Sequence, residues 1–186
     1  MQKTGLWSNA MIQFTKTGHV DARCEFAADV RMLLNAAYPD GAPNELDDYY
    51  IRHGLPTTTI LLSDDRRALG HLAIYERQIR IGDESERVGL IGEVAVSVDC
   101  RGAGLARRLV RHAHEHLRER SIPFAILFAF EPRVYASSGY RLMQNETRFL
   151  DADGQWKSFV LRGSMYAELL EKLWPNRPID LCGPAV

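Results

Sequence analysis

The segment that most restricts the fold is 88–130, where an alternating strand, a turn with two glycines, a helical stretch and a continuously apolar run follow one another without a linker. In 105–120, Leu105, Leu109, Val110, Ala113 and Leu117 fall on one helical face, with arginines, histidines and Glu115 around the rest. The following "IPFAILFAF" is apolar throughout, as expected of a strand covered on both faces. Strand, turn, helix and buried strand make one βαβ crossover, so its two strands run parallel.

The strands before the crossover obey a different rule. "TTTILLSDD", "ALGHLAIYERQIRI" and "VGLIGEVAVSV" are separated by short polar turns, the last at 82–87, and read as an antiparallel meander. The sheet is therefore mixed, and the fold class is α/β (α+β), a single domain with six to seven strands flanked by helices. Upstream, 12–15 reads as a short strand, and 22–37 as a helix with Phe26, Val30, Leu33 and Leu34 at helical spacing. "YPDGAPNELDDYY" breaks that pattern; its acids Asp40, Glu45, Asp47 and Asp48 suit either a surface loop or the attraction of a cationic ligand, with a short helix at 46–51. Downstream, "EPRVYASSGY" reads as a short helix opened by Pro132 and closed by Gly139. Strands near 140–144 and 155–161 flank the turn "DADG", and 165–173 reads as a last helix.

Composition narrows the class. A chain of 186 residues suits one domain, and 46% hydrophobic residues with a net charge of -1 exclude both a disordered tail and a basic nucleic-acid binder. Three cysteines, Cys24, Cys100 and Cys182, share no CxxC spacing, which points to a reducing cytoplasm rather than a disulfide framework. No apolar run approaches the ~18 residues of a membrane span, and the start lacks the apolar stretch of a signal peptide. Residues 1–10 carry no pattern of their own and read as a leader, with Met11 an alternative start.

The turn "RGAGLARR" is bare beside strong positive charge. The first turn of a helix leaves N–H groups unpaired at the positive end of the dipole. With Gly102, Gly104 and Ala106 keeping side chains away, a diphosphate can lie on the amides, and Arg101, Arg107 and Arg108 add attraction. A ligand-free connection explains the glycines as well. A dinucleotide fingerprint needs a third glycine where Arg107 stands and an acid about 20 residues on, and Glu119 falls inside the helix instead. A Walker loop needs GxxxxGK[ST], which is absent.

"VSVDCRGAGLARRLV" resembles the pyrophosphate loop of the GNAT N-acetyltransferases, with Arg101, Gly104 and Ala106 at the loop's pattern positions. "YASSGYRL" is similar to that family's signature after the fifth strand, Tyr135 lying four residues before Gly139. The ending "WPNRPIDLCGP" looks like that of many small members, nodulation-type acyltransferases among them. The resemblance covers about 57–143 and implies a GNAT-like fold in which 11–56 builds the acceptor side, 57–143 the acyl-CoA-binding core and 144–186 the C-terminal strands, helix and tail.

It further implies transfer of an acetyl group from acetyl-CoA to a primary amine within a ternary complex, without a metal. A longer-chain acyltransferase and a non-catalytic CoA-binding protein are the alternatives. Three tasks need residues. Glu93 is the only charged residue of "GLIGEVAVSV", and alternation sets it with Ala95 and Ser97 on one face, opposite Val94, Val96 and Val98; an acid eight residues before Arg101 serves as base in several members, directly or through water. The backbone amide of Val96 matches the family's oxyanion donor, and Tyr135 the acid that protonates the departing thiolate. Val96, Val98, Arg101, Gly102, Ala103, Gly104, Leu105, Ala106 and Arg107 would hold acetyl-CoA. The acceptor, a small-molecule or peptide amine, is left open; nucleic acid and membrane are not expected as partners, and a homodimer is compatible with the sequence. Of the histidines, His112 and His116 share a face, but with arginines nearby and no completing ligand the stretch 112–116 reads as a solvated helix face. Cys100, beside the loop, reads as a packed thiol.

Overall fold

A computed structural model describes residues 12–18, 20, 25–39, 54–64 and 66–186. The acidic stretch 40–50, the helix expected at 46–51, Cys24 and residues 1–10 lie outside the described residues.

The meander forms as its period-2 pattern requires. β1 (Gln13–Thr17), β2 (Thr58–Ser63), β3 (Ala68–Ile81) and β4 (Glu84–Val96) pair antiparallel in sequence order. The turn between β3 and β4 is only Gly82 and Asp83, tighter than the polar content of 82–87 suggests, and Gly82 at φ 59 supplies the positive φ that a two-residue hairpin loop needs. α1 (Ala27–Ala37) lies between β1 and β2 in the chain. After a 3-10 turn at Val98–Cys100, α2 (Leu105–Glu119) crosses over to β5 (Phe124–Phe128), which pairs parallel with β4. α3 (Arg133–Ala136), β6 (Arg141–Leu142), β7 (Thr147–Leu150), β8 (Trp156–Phe159), β9 (Ser164–Glu168) and β10 (Ile179–Pro184) follow.

All ten strands join one sheet, in the order β6-β9-β5-β4-β3-β10-β7-β8, with β2 also on β3 and β1 on β2. Among the described residues the ten strands exceed the expected six to seven because the stretch 141–184 supplies five short strands, β6 to β10. The helix expected at 165–173 is absent: β9 pairs antiparallel with β5, and Met165, Ala167 and Leu169 bury on one side of the sheet while Tyr166 stacks on Trp174 on the other. Good helix formers there lose to the open edge of β5, whose backbone groups need partners. The strand that flanks "DADG" before β8 is β7, not 140–144, of which only β6 is strand, paired with β9.

Both faces are covered. On one, Leu62, Leu72, Ile74 and Ile91 pack against Leu109, Ala113 and Leu117 of α2. On the other, Tyr75, Leu90, Phe124 and Ile126 meet Phe149 and Leu181, and α1 sets Val30, Leu33 and Leu34 on Leu61, Ala68 and Ala95. β5 feeds both cores, Ala125 and Leu127 to the first and Phe124 and Ile126 to the second, as an apolar run must.

Candidate functional site

The site follows from where two parallel strands part. β4 and β5 pair only from Val88 with Phe124 to Ile91 with Leu127, while β4 continues to Val96 on β3 alone. Past Ile91 the β5-side edge of β4 is therefore open. Ser97 N–H donates to Leu69 O at 2.9 Å, toward β3; since strand amides alternate in direction, the amide of Val96 points to the open edge. Tyr38, just past α1, reaches the same edge and donates its hydroxyl to Val94 O at 3.3 Å.

α2 begins beside this edge. Gly104 is its N-cap at φ 74, no side chain caps it, and its first turn holds no acid, so the positive end of the dipole is uncompensated. Gly102 sits at φ 81. These left-handed conformations call for glycine whether or not a ligand binds. A Cβ at either glycine would have no heavy atom within 4 Å. Among the described residues, Arg101, Arg107 and Arg108 make no ion pair.

Turn and open edge share a cleft of about 600 Å³. Val96, Arg101, Gly102, Gly104, Leu105, Ala106 and Arg107 line it, and so does Tyr135, brought in by α3. Two expected members lie elsewhere. Ala103 faces an adjoining cavity, and Val98, 60% exposed on the 3-10 turn, lines a separate hollow against Met32 and Leu33 of α1. Strand alternation does not reach Val98 because β4 ends at Val96.

Glu93 is 8% exposed and outside the cleft wall. It occupies a β-bulge: Ala73 pairs with Gly92 and His71 with Ala95, so Glu93 and Val94 share one partner position, and Glu93 takes φ 46. The extra residue turns its side chain onto the face of Ala95, as alternation counted from its C-terminal side requires; counted from Ile91 it would face α2. Tyr75 donates its hydroxyl to Glu93 Oε2 at 2.9 Å. Burial pushes the carboxyl up to about 7, partly opposed by that bond. Beneath it, His71 Nδ1 lies 2.9 Å from Glu93 O, and because a carbonyl only accepts, Nδ1 carries the proton. Burial lowers the imidazole to about 4, so it is neutral. Tyr135 is part-buried and meets Tyr140 edge-on at 6.0 Å; burial raises its hydroxyl, which stays protonated at neutral pH.

The histidines do not form a solvated face. His114 is 6% exposed, with Nε2 3.1 Å from the Tyr140 hydroxyl, and burial followed by the Arg118 charge lowers it to about 4. His116 meets Thr58 at 3.2 Å, and His112 meets Glu115 at 3.2 Å. Among the described residues no three His, Cys, Asp or Glu side chains gather as metal ligands, and no helix is long and apolar enough to cross a membrane. Cys100 is buried at the cleft wall, with its thiol pushed up by burial. Tyr38, His71 and Tyr75 escape a sequence reading because only cross-strand register and the end of α1 bring them to the site.

A family model described as an acetyltransferase (GNAT) domain matches residues 22–143, about two thirds of the chain. Among solved structures the chain is similar to a GNAT family N-acetyltransferase of Escherichia coli in complex with CoA, at a TM-score of 0.65 and 17% identity over 91% of this chain and 90% of that one. It is also similar to a GNAT family acetyltransferase of Brucella melitensis in complex with acetyl-CoA, at 0.60 and 18% over 90% and 94%. An acetyltransferase of Trypanosoma brucei follows at 0.53 and 20% over 72% and 96%. At these identities the likeness is one of fold. No curated protein matches the sequence.

Proposed function

The chain belongs to the GNAT acetyltransferases, and from that premise we propose that it transfers an acetyl group from acetyl-CoA to a primary amine by direct attack in the cleft beside β4. The observation that carries this reading is the bare, uncapped start of α2 opening onto the parted edge of β4.

The amides from Gly102 to Ala106 would hold the diphosphate, with Arg101 and Arg107 adding charge. The thioester then lies along the open edge of β4, where the Val96 amide can donate to its carbonyl oxygen as charge builds there. The amine must first lose a proton; for a lysine-like amine this costs about 4.6 kcal/mol at pH 7. Glu93, poised near neutrality, accepts it, and its place outside the cleft wall favours a route through water. Amine nitrogen bonds to the carbonyl carbon, the C–S bond breaks, Tyr135 gives its proton to the departing thiolate, and the second proton leaves the nitrogen and restores the Tyr135 hydroxyl through solvent. A thiol with pKa about 8.5 leaves readily, so Tyr135 assists modestly.

Ala106 tests the donor half, being helical and free of the strain that complicates a glycine substitution. Ala106→Leu should weaken acetyl-CoA binding at least about tenfold, 1.4 kcal/mol, by calorimetry, with little change in thermal stability. Unchanged affinity would remove the loop from the proposal. A thiol-release screen of amines with acetyl-CoA, followed by mass spectrometry of the product, identifies the acceptor class.

A further inference from the structure

On the face of the sheet opposite α2, a side chain is missing where the strands part. Gly92 shares that face with Leu90, and Phe128 of β5 shares it with Ile126, both just past the last pair, Ile91 with Leu127. The space over Gly92 is filled from another part of the chain. A Cβ there would lie 3.4 Å from Tyr75 Cε2 and 3.5 Å from Val186 Cβ. Ala185 and Val186 thus pack against the cluster that holds Tyr75, next to the bulge at Glu93.

A half-buried arginine brings them there. β10 pairs with β3 only at Ile179 and Asp180, then turns away, with Cys182 at φ 51 and its N–H donating to Asp180 Oδ1 at 2.8 Å. Arg77, two residues from Tyr75 on the same face of β3, reaches over to it. Its Nη1 donates to Pro184 O at 2.5 Å and to Leu181 O at 3.5 Å. Gly183 lets the guanidinium lie against the backbone, since a Cβ there would come within 3.1 Å of Nη1. No carboxylate pairs with Arg77 among the described residues. A guanidinium withdrawn from water ordinarily needs an acid to offset the cost; this one gives its donors to main-chain carbonyls of 181–184 instead.

What the segment covers is the pair of Tyr75 and Glu93. Burial is the larger influence on the Glu93 carboxyl and the Tyr75 bond the smaller, so whatever keeps water off the pair governs it. Among the described residues, the titratable groups around Glu93 are His71 and Tyr75 of β3 and Tyr38 past α1, with Arg77 and Cys182 along the segment. We infer that Arg77 is a positioning residue for the acceptor side: by holding 181–184 it seats Val186 over Gly92 and Tyr75, as a cover that keeps water from the proposed base. The inference rests on the reading of Glu93 as base.

Titrating Glu93 itself tests this without an acceptor. Carbon-13 NMR of carboxyl-labelled glutamate, with the Glu93 signal identified by its loss in Glu93→Gln, should give a midpoint near 7 in the parent. In Val186→Gly the midpoint should fall by about one pH unit as water reaches the carboxyl, while acetyl-CoA affinity by calorimetry stays within about twofold. Arg77→Met should move it the same way; loss of the positive charge alone would push it up, so a fall reports the lost cover. Arg77→Lys, keeping the charge and a point donor, should lie between parent and Val186→Gly, and decides the matter where Arg77→Met does not fold. A parent midpoint near the ordinary 4.5, or a midpoint unmoved or raised in Val186→Gly, would overturn the inference, a rise being what loss of the Tyr75 bond alone produces. A fall in Val186→Gly with none in either Arg77 variant would overturn the part given to Arg77. Midpoints that fall as expected while Glu93→Gln keeps the parent's kcat/KM would uphold the cover and remove Glu93 as base, so the two failures are told apart.

Discussion

Glu93, the proposed base, has its backbone and its carboxyl held separately. His71 bonds the bulge carbonyl and Tyr75 bonds the carboxylate. As base, Glu93 must be ionised, so kcat/KM should rise with pH through an apparent pKa near 7 on its acidic side. Glu93→Gln should remove that limb and lower kcat/KM by roughly 100- to 10,000-fold; a profile matching the parent's would end its candidacy. Tyr75→Phe withdraws a bond that favours the charged form, so the limb should move to higher pH while acetyl-CoA affinity stays the same. A loss of rate with the limb unmoved would assign Tyr75 to packing alone. A hydrogen bond between β3 and β4 is invisible to a sequence reading, whereas a lone acid in an apolar strand is not, which is why Glu93 is legible and its two partners are not.

Among elements, α2 and its turn were the most legible, since helical period, glycine turn and buried strand all agree over 88–130. The sequence alone does not separate the two reasons for the glycines. Gly102 and Gly104 need positive φ, whereas Gly89 of β4 is required by close approach, since a Cβ there would lie 2.5 Å from Leu117 of α2. Gly89→Ala should therefore push α2 off the sheet and cost about 1–3 kcal/mol in denaturant unfolding, the usual range for overpacking. A change under about 0.5 kcal/mol would mean that Leu117 yields freely. β9 shows the opposite case: its residues favour a helix locally, and pairing with β5 overrides that preference.

For the whole molecule, burial of ionisable groups sets how stability depends on pH. His71 and His114 have folded-state pKa values near 4, below the usual 6.5, so their contribution is complete above pH 6.5 and is lost as pH falls through 4. Glu93 acts in the other sense: its folded-state value near 7 lies above 4.5, so burying it costs nothing below pH 4.5 and costs most above pH 7. Glu93→Gln should accordingly stabilise the protein at pH 8 by about 3 kcal/mol and leave it unchanged at pH 4, read from denaturant midpoints at the two pH values. Destabilisation at pH 8 would contradict this. By itself the sequence determined the meander, the crossover, the bare helix start and the identities of Glu93 and Tyr135, because period, glycine placement and an isolated charge are local properties of the chain. Only the tertiary structure decided that β4 parts from β5 after Ile91, that a bulge turns Glu93 toward Tyr75, and that Val186 fills the space over Gly92. Each of these depends on register or packing between segments far apart in sequence, and no local pattern encodes them.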